Sequence, residues 1–136
     1  MFQGYSSNLT VAANTAFPFN NTYVDKGNAE TLSGPATVQL NRRGVYLAKV
    51  DGYATGVAAG PETIQLYING VAQPQAISAF DLTTTGATNF GFASLIQVAA
   101  NSCPCNYVVN PTVVQVMNGD ADVVDAHINI VITKIC

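Results

Sequence analysis

The sequence predicts an all-β domain, a jelly-roll β-sandwich of eight to ten antiparallel strands, and three observations carry that expectation. Residues 63–68 alternate, with Ile64, Leu66 and Ile68 set against Thr63, Gln65 and Tyr67, the period-two pattern of a strand with one wet face. Asn69-Gly70 follows at once and supplies the positive φ angles of a tight type I′ hairpin turn. Turn signals at Pro18, Gly27, Ser33-Gly34-Pro35 and Asn41-Arg42-Arg43-Gly44 break the chain before a helix completes two turns, and no window shows capped apolar residues at i, i+3 and i+4.

In chain order, the pattern predicts a strand over 9–13, a short one around 16–19, a loop through 20–28, and strands over 29–32 and 37–40. The stretch 44–70 reads as two strands joined by a loose loop and closed by the hairpin turn. A strand over 75–81, a Thr/Gly loop at 83–88 and long strands over 89–98, 107–117 and 123–135 complete the chain. Short, evenly punctuated strands of this kind pack as a sandwich or jelly roll. With 136 residues and no internal repeat or linker, the expected organisation is one domain over 1–136.

Some strands are apolar on both faces. Ile128, Ile130 and Ile132 fill one side of 123–135, while Val131 and Ile135 share the other with His127, Asn129 and Thr133. Phe90, Phe92, Ile96 and Val98 oppose Leu95 on 89–98. A strand apolar on both faces is covered on both, and in a two-sheet sandwich the second cover comes from another chain. Composition points the same way: charged residues are 10% of the chain against a typical quarter, and Thr and Asn, 13 of each, carry much of the polarity. The expected interface residues are Phe90, Phe92, His127, Val131 and Ile135. The outer face of 107–117 finds no place in this scheme.

A net charge of −3 with five dispersed cations excludes the electrostatic footprint of nucleic-acid binding. No apolar run reaches the length of a membrane span, and MFQGYSSNLT has neither a basic n-region nor an apolar h-region, so no secretory signal is expected. The sequons at Asn8 and Asn20 read as surface turns.

Several short pieces, spread over nearly the whole chain, resemble one family. They are Phe19-Asn20-Asn21-Thr22 after a short strand, Gly44-Val45-Tyr46 opening another, Ile64-Gln65-Leu66-Tyr67-Ile68-Asn69-Gly70, Leu95-Ile96-Gln97-Val98 and the Val-Thr-Lys-Ile-Cys ending. Together they resemble the tumour-necrosis-factor and complement-globular-head jelly roll, and more nearly its small phage and bacterial-surface relatives. The resemblance implies a ten-strand jelly roll that assembles as a homotrimer with one sheet of each subunit toward the three-fold axis. Its functional implication is a non-enzymatic structural protein of a virion, a trimeric capsid decoration or head-fibre component binding other virion proteins. The alternative is a carbohydrate- or receptor-binding adhesin head on a phage or bacterial surface, with Tyr5, Tyr23, Tyr53 and Tyr67 stacking on a glycan.

Catalytic chemistry finds no support. His127 is the single histidine, and no Gly-x-Ser-x-Gly elbow, phosphate-binding loop or His-x-x-x-His pair accompanies it. Glu30, Glu62, Asp25, Asp51 and Asp81 each stand alone in sequence. No cofactor or metal is expected. The acidic run Asp120, Asp122 and Asp125 reads as a solvated hairpin connection, with a weak hard-cation site as the alternative, since it lacks the Gly and distal Glu of an EF-hand loop. Cys103, Cys105 and Cys136 fit neither a four-ligand zinc site nor a C-x-x-C redox pair, which leaves free thiols or a disulfide. The resembled jelly roll places the loop holding Cys103 and Cys105 at the same end as Cys136. It thereby implies that one loop cysteine, Cys105 ahead of Cys103, can bridge to Cys136.

Overall fold

The computed structural model describes residues 1–27, 29–98 and 107–136, and of 107–110 the backbone alone. Ten strands form: β1 (Phe2–Val11), β2 (Asn21–Asp25), β3 (Glu30–Ser33), β4 (Thr37–Arg42), β5 (Gly44–Gly56), β6 (Gly60–Ile68), β7 (Val71–Leu82), β8 (Thr88–Val98), β9 (Tyr107–Asn118) and β10 (Val123–Lys134). They make two antiparallel five-stranded sheets, one in the order β2-β1-β10-β5-β8, here sheet A, and the other in the order β3-β4-β9-β6-β7, here sheet B.

The alternation in β6 sets its faces as expected. Ile64 and Leu66 are fully buried between the sheets, while Thr63, Gln65 and Tyr67 are half-buried on the outer face of sheet B. Asn69 (φ 51°) and Gly70 (φ 78°) turn the chain straight into β7, so the Asn-Gly hairpin is present. Strands β5 and β6 belong to different sheets, which makes their connection at 57–59 a corner of the sandwich.

The N-terminal third departs from expectation. β1 begins at Phe2, not near Leu9, and no strand forms at 16–19, where a lone bridge joins Ala16 to Met117. The signal for β1 is hidden because its inward positions hold small residues. Gly4 lies where a Cβ would meet the ring of Phe2 at 3.0 Å and Phe19 Cβ at 3.2 Å, so its missing side chain is the space those aromatics occupy. Ser6 points inward too, its hydroxyl donating to Pro18 O at 2.8 Å and accepting from Asn20 N–H at 2.7 Å. At Asn8 (φ 56°) a register shift flips the alternation, after which Leu9 and Val11 face inward. β2 lies in the stretch expected as a loop; it has no buried residue and hence no apolar signal, and it exists by pairing with β1.

The core fills the space between the sheets. From sheet A come Phe2, Tyr46, Val50, Phe90, Ile96, Ile128, Ile130 and Ile132, and from sheet B Val38, Leu40, Ile64, Leu66, Val114 and Val116. Phe17 and Phe19 enter from the β1–β2 connection, and Phe90 stacks on Phe80 with ring centroids 5.6 Å apart. Each such side chain contributes about 1.5–3 kcal/mol of burial. Two buried polar side chains of the core are paired: Tyr46 donates its hydroxyl to Arg42 O at 2.7 Å, and Glu30 accepts from Lys134 N–H at 3.0 Å while its other oxygen lies 2.9 Å from the Met1 amino nitrogen. Residues 14–17 hydrogen-bond to the end of β9 beside the bridge at Met117, pairing its backbone edge beyond the reach of β4.

Candidate assembly face

Two places among the described residues bear on function: the outer face of sheet A and a small pocket where β6 begins.

Sheet A's outer face is ordered by strand register. Reading across β1, β10, β5 and β8, one row runs Tyr5, Asn129, Asp51, Gly91 and the next Gln3, Val131, Lys49, Ala93. Beyond these, Thr133 stands opposite Leu47, and Leu47 opposite Leu95. Leu47 is 40% and Leu95 58% exposed, and Ile135, just past β10, is 51% exposed. At the other end His127 pairs with Tyr53, their rings stacked with centroids 5.3 Å apart, and Ser7 Oγ lies 2.9 Å from His127 Nδ1. Apart from Lys49 and Asp51 these rows are uncharged.

The structure separates the five expected interface residues. His127 and Val131 lie half-buried on this outer face, and Ile135 is exposed at its end. Phe90 and Phe92 do not: Phe90 is 5% exposed in the core and Phe92 packs against that core, so both point toward sheet B. The physical reason is parity, since Phe90 and Phe92 alternate in step with the buried Ser94, Ile96 and Val98. Leu47 and Leu95 hold the outer positions instead. Their signal was in the sequence, as the residues out of step with Tyr46-Ala48-Val50 and with Ile96-Val98.

The tyrosines proposed for glycan stacking are dispersed. Tyr5 and Tyr53 are on the outer face of sheet A, Tyr23 is exposed on edge strand β2, and Tyr67 is on sheet B. His127 bonds to a serine hydroxyl but to no carboxylate among the described residues, and it sits on an open sheet face; it lacks the orienting group of a nucleophilic triad. Cys136 is exposed with a free thiol beside the start of β5, where its carbonyl accepts from Val45 N–H. Cys103 and Cys105 lie outside the described residues. No described helix is long and apolar enough to cross a membrane.

The second place is a pocket of about 190 Å³ lined by Pro61, Glu62, Thr63 and Asp120. Glu62 is 3% exposed. It shares inward parity with Ile64 and Leu66, a signal present in the sequence that turn-based reading passes over. Glu62 Oε1 accepts from Thr63 N–H at 2.8 Å, and Oε2 is buried with no partner. Burial pushes the Glu62 carboxyl above its ordinary value of 4.5; the amides of Thr63 and Ala121 oppose the rise, and the charge of Asp120 adds to it. A carboxyl raised in the folded state carries no charge cost below its unfolded value, and it destabilises the fold as pH climbs through its folded value. In chelator-treated buffer, Glu62→Gln should therefore raise Tm above wild type at pH 7.5, by more than it does at pH 4. An equal difference at both pH values would show that the Glu62 charge is already compensated.

The architecture defines a class. This chain has the tumour-necrosis-factor-like jelly-roll fold. Among solved structures it is similar over 99% of its length to the PRD1 vertex protein P5, covering 96% of that chain at 18% identity and a TM-score of 0.66. It is similar also to murine APRIL, with 98% of each chain covered, 8% identity and a TM-score of 0.69. The globular domain of zebrafish complement 1qA protein aligns with 96% of this chain and 94% of its own, at 9% identity and a TM-score of 0.66. No family model matches the sequence, and no curated protein does.

Proposed function

We propose that the chain is a non-enzymatic structural module of a virion, a homotrimeric capsid decoration or head-fibre component whose work is protein–protein assembly. The observation that carries this reading is the outer face of sheet A, where Leu47 and Leu95 stand exposed and directly opposed in a nearly uncharged surface. In the proposed trimer three such faces meet about the three-fold axis, and the surface of sheet B is left for the particle. The similarity to a phage vertex protein over nearly all of both chains supports the virion setting. Cryo-electron microscopy of the native particle tests it: three-fold density of this size on the capsid or its fibres is expected, and purified virions free of the chain would contradict it.

A second reading, a glycan-binding adhesin head, draws on Tyr23, which is 76% exposed on an edge strand. A reproducible hit on a glycan array, lost in Tyr23→Ala, would favour it.

A further inference from the structure

We propose that the pocket formed by Glu62, Thr63 and Asp120 is a weak site for a hard divalent cation, calcium in particular. This inference does not rest on the proposed assembly.

The pocket's polar lining presents oxygen ligands and no cationic side chain. Glu62 Oε2 is buried without a partner, and an orphaned buried carboxylate oxygen is costly enough to call for one. Around the position that a Gly119 Cβ would take, three oxygens crowd together: Glu62 Oε1, Thr63 Oγ1 at 2.6 Å and Thr63 O at 2.8 Å. A side chain at 119 would collide with them, so glycine is what lets the β9–β10 connection lie against Glu62 and Thr63, with Gly119 N–H donating to Thr63 O at 2.9 Å. Next to it Asp120 brings a second carboxylate from the exposed β9–β10 connection.

A second buried orphan, outside the pocket's lining, is on the residue before Gly119. Asn118 is 2% exposed, and its Nδ2 donates to Val11 O, Ala12 O and Ala121 O at 3.3, 3.2 and 2.8 Å, while its Oδ1 is buried with no donor. Calcium takes six to eight oxygens from carboxylates, hydroxyls, carbonyls and water in flexible geometry, which suits this mixed set better than the strict octahedron of magnesium. The acidic run of the sequence thus divides. Asp122 is occupied, accepting from Ala13 N–H at 2.7 Å, and Asp125 sits in the β10 bulge with φ 49°, so of the three only Asp120 lines the pocket. Among the described residues no three carboxylate, His or Cys side chains converge, so the affinity expected is that of a two-carboxylate site, roughly millimolar.

Thermal unfolding and calorimetry with calcium chloride at pH 7.5, against potassium chloride of matched ionic strength, test the site. Calcium about tenfold above Kd should raise the wild-type Tm by about 4 °C. Asp120→Asn, changed at an exposed side chain, should fold normally and lose most of that shift. Glu62→Gln should lose it as well. No shift and no heat in the wild type overturns the proposal and leaves a protonated carboxyl as the occupant's substitute. A full shift retained in Asp120→Asn, or an equal one from magnesium, overturns it too.

Discussion

Aspartate at both Leu47 and Leu95 is expected to leave a folded monomer in place of the proposed trimer. The two side chains face each other across the β5–β8 ladder on the outer side of sheet A, and both are exposed in the single chain. Changing them removes nothing from the core, so monomer stability should move by no more than about 0.5 kcal/mol per site. Burial of the exposed part of each leucine would contribute about 1 kcal/mol to association, and each buried, unpaired aspartate costs several more. Association should therefore weaken by orders of magnitude while circular dichroism and Tm stay near wild type. Aspartate at Phe90 and Phe92 should do something different, since Phe90 stacks on Phe80 and contacts Phe17 inside the sandwich: it should unfold the protein. If the leucine double variant keeps the wild-type mass, the outer face of sheet A is not the contact surface.

Gly52→Ala is expected to lower stability by about 3 kcal/mol, or roughly 10 °C in Tm. Gly52 lies on β5 opposite Ile128, at the edge of the irregularity that separates Val124 from His127 in the β5–β10 register. The positive φ of Asp125 belongs to that bulge. There the carbonyl oxygen of His127 occupies the place of a Gly52 Cβ, and the Phe90 ring stands 2.8 Å from it. Backbone on one side and a buried aromatic on the other leave an added methyl no room. The strands on either side of the clash carry His127 and Tyr53, so the variant should also distort the proposed contact face. Gly34→Ala, at φ 72° with open space around it, isolates the contrasting effect of backbone conformation alone and should cost about 1 kcal/mol. Equal losses in the two variants would contradict the packing argument for Gly52.

How much of this was legible in the sequence depended on whether inward positions held large apolar residues. β6, β8 and β10 declared themselves because Ile64-Leu66, Ile96-Val98 and Ile128-Ile130-Ile132 mark one face. β1 did not, since Gly4 and Ser6 occupy inward positions whose volume Phe2 and Phe19 fill, and the turn at Asn8 then reverses the parity. β2 had no apolar face to show. The contact face was half legible. Apolar character on two sides of β10 was readable, but which side of β8 faced out required knowing that the phenylalanines were needed against Phe17 and Phe80. The pocket was legible in principle from the parity of Glu62 with Ile64, while its meeting with Gly119 and Asp120 depends on β6 lying beside β9.

In the proposed trimer, sheet A meets two other copies of itself. Light scattering of the purified wild-type chain at micromolar concentration tests it most directly, because a trimer must scatter at three times the 14.2 kDa mass of the chain. The expected result is that trimeric mass, held on dilution; a single-chain mass at the same concentration would contradict the account.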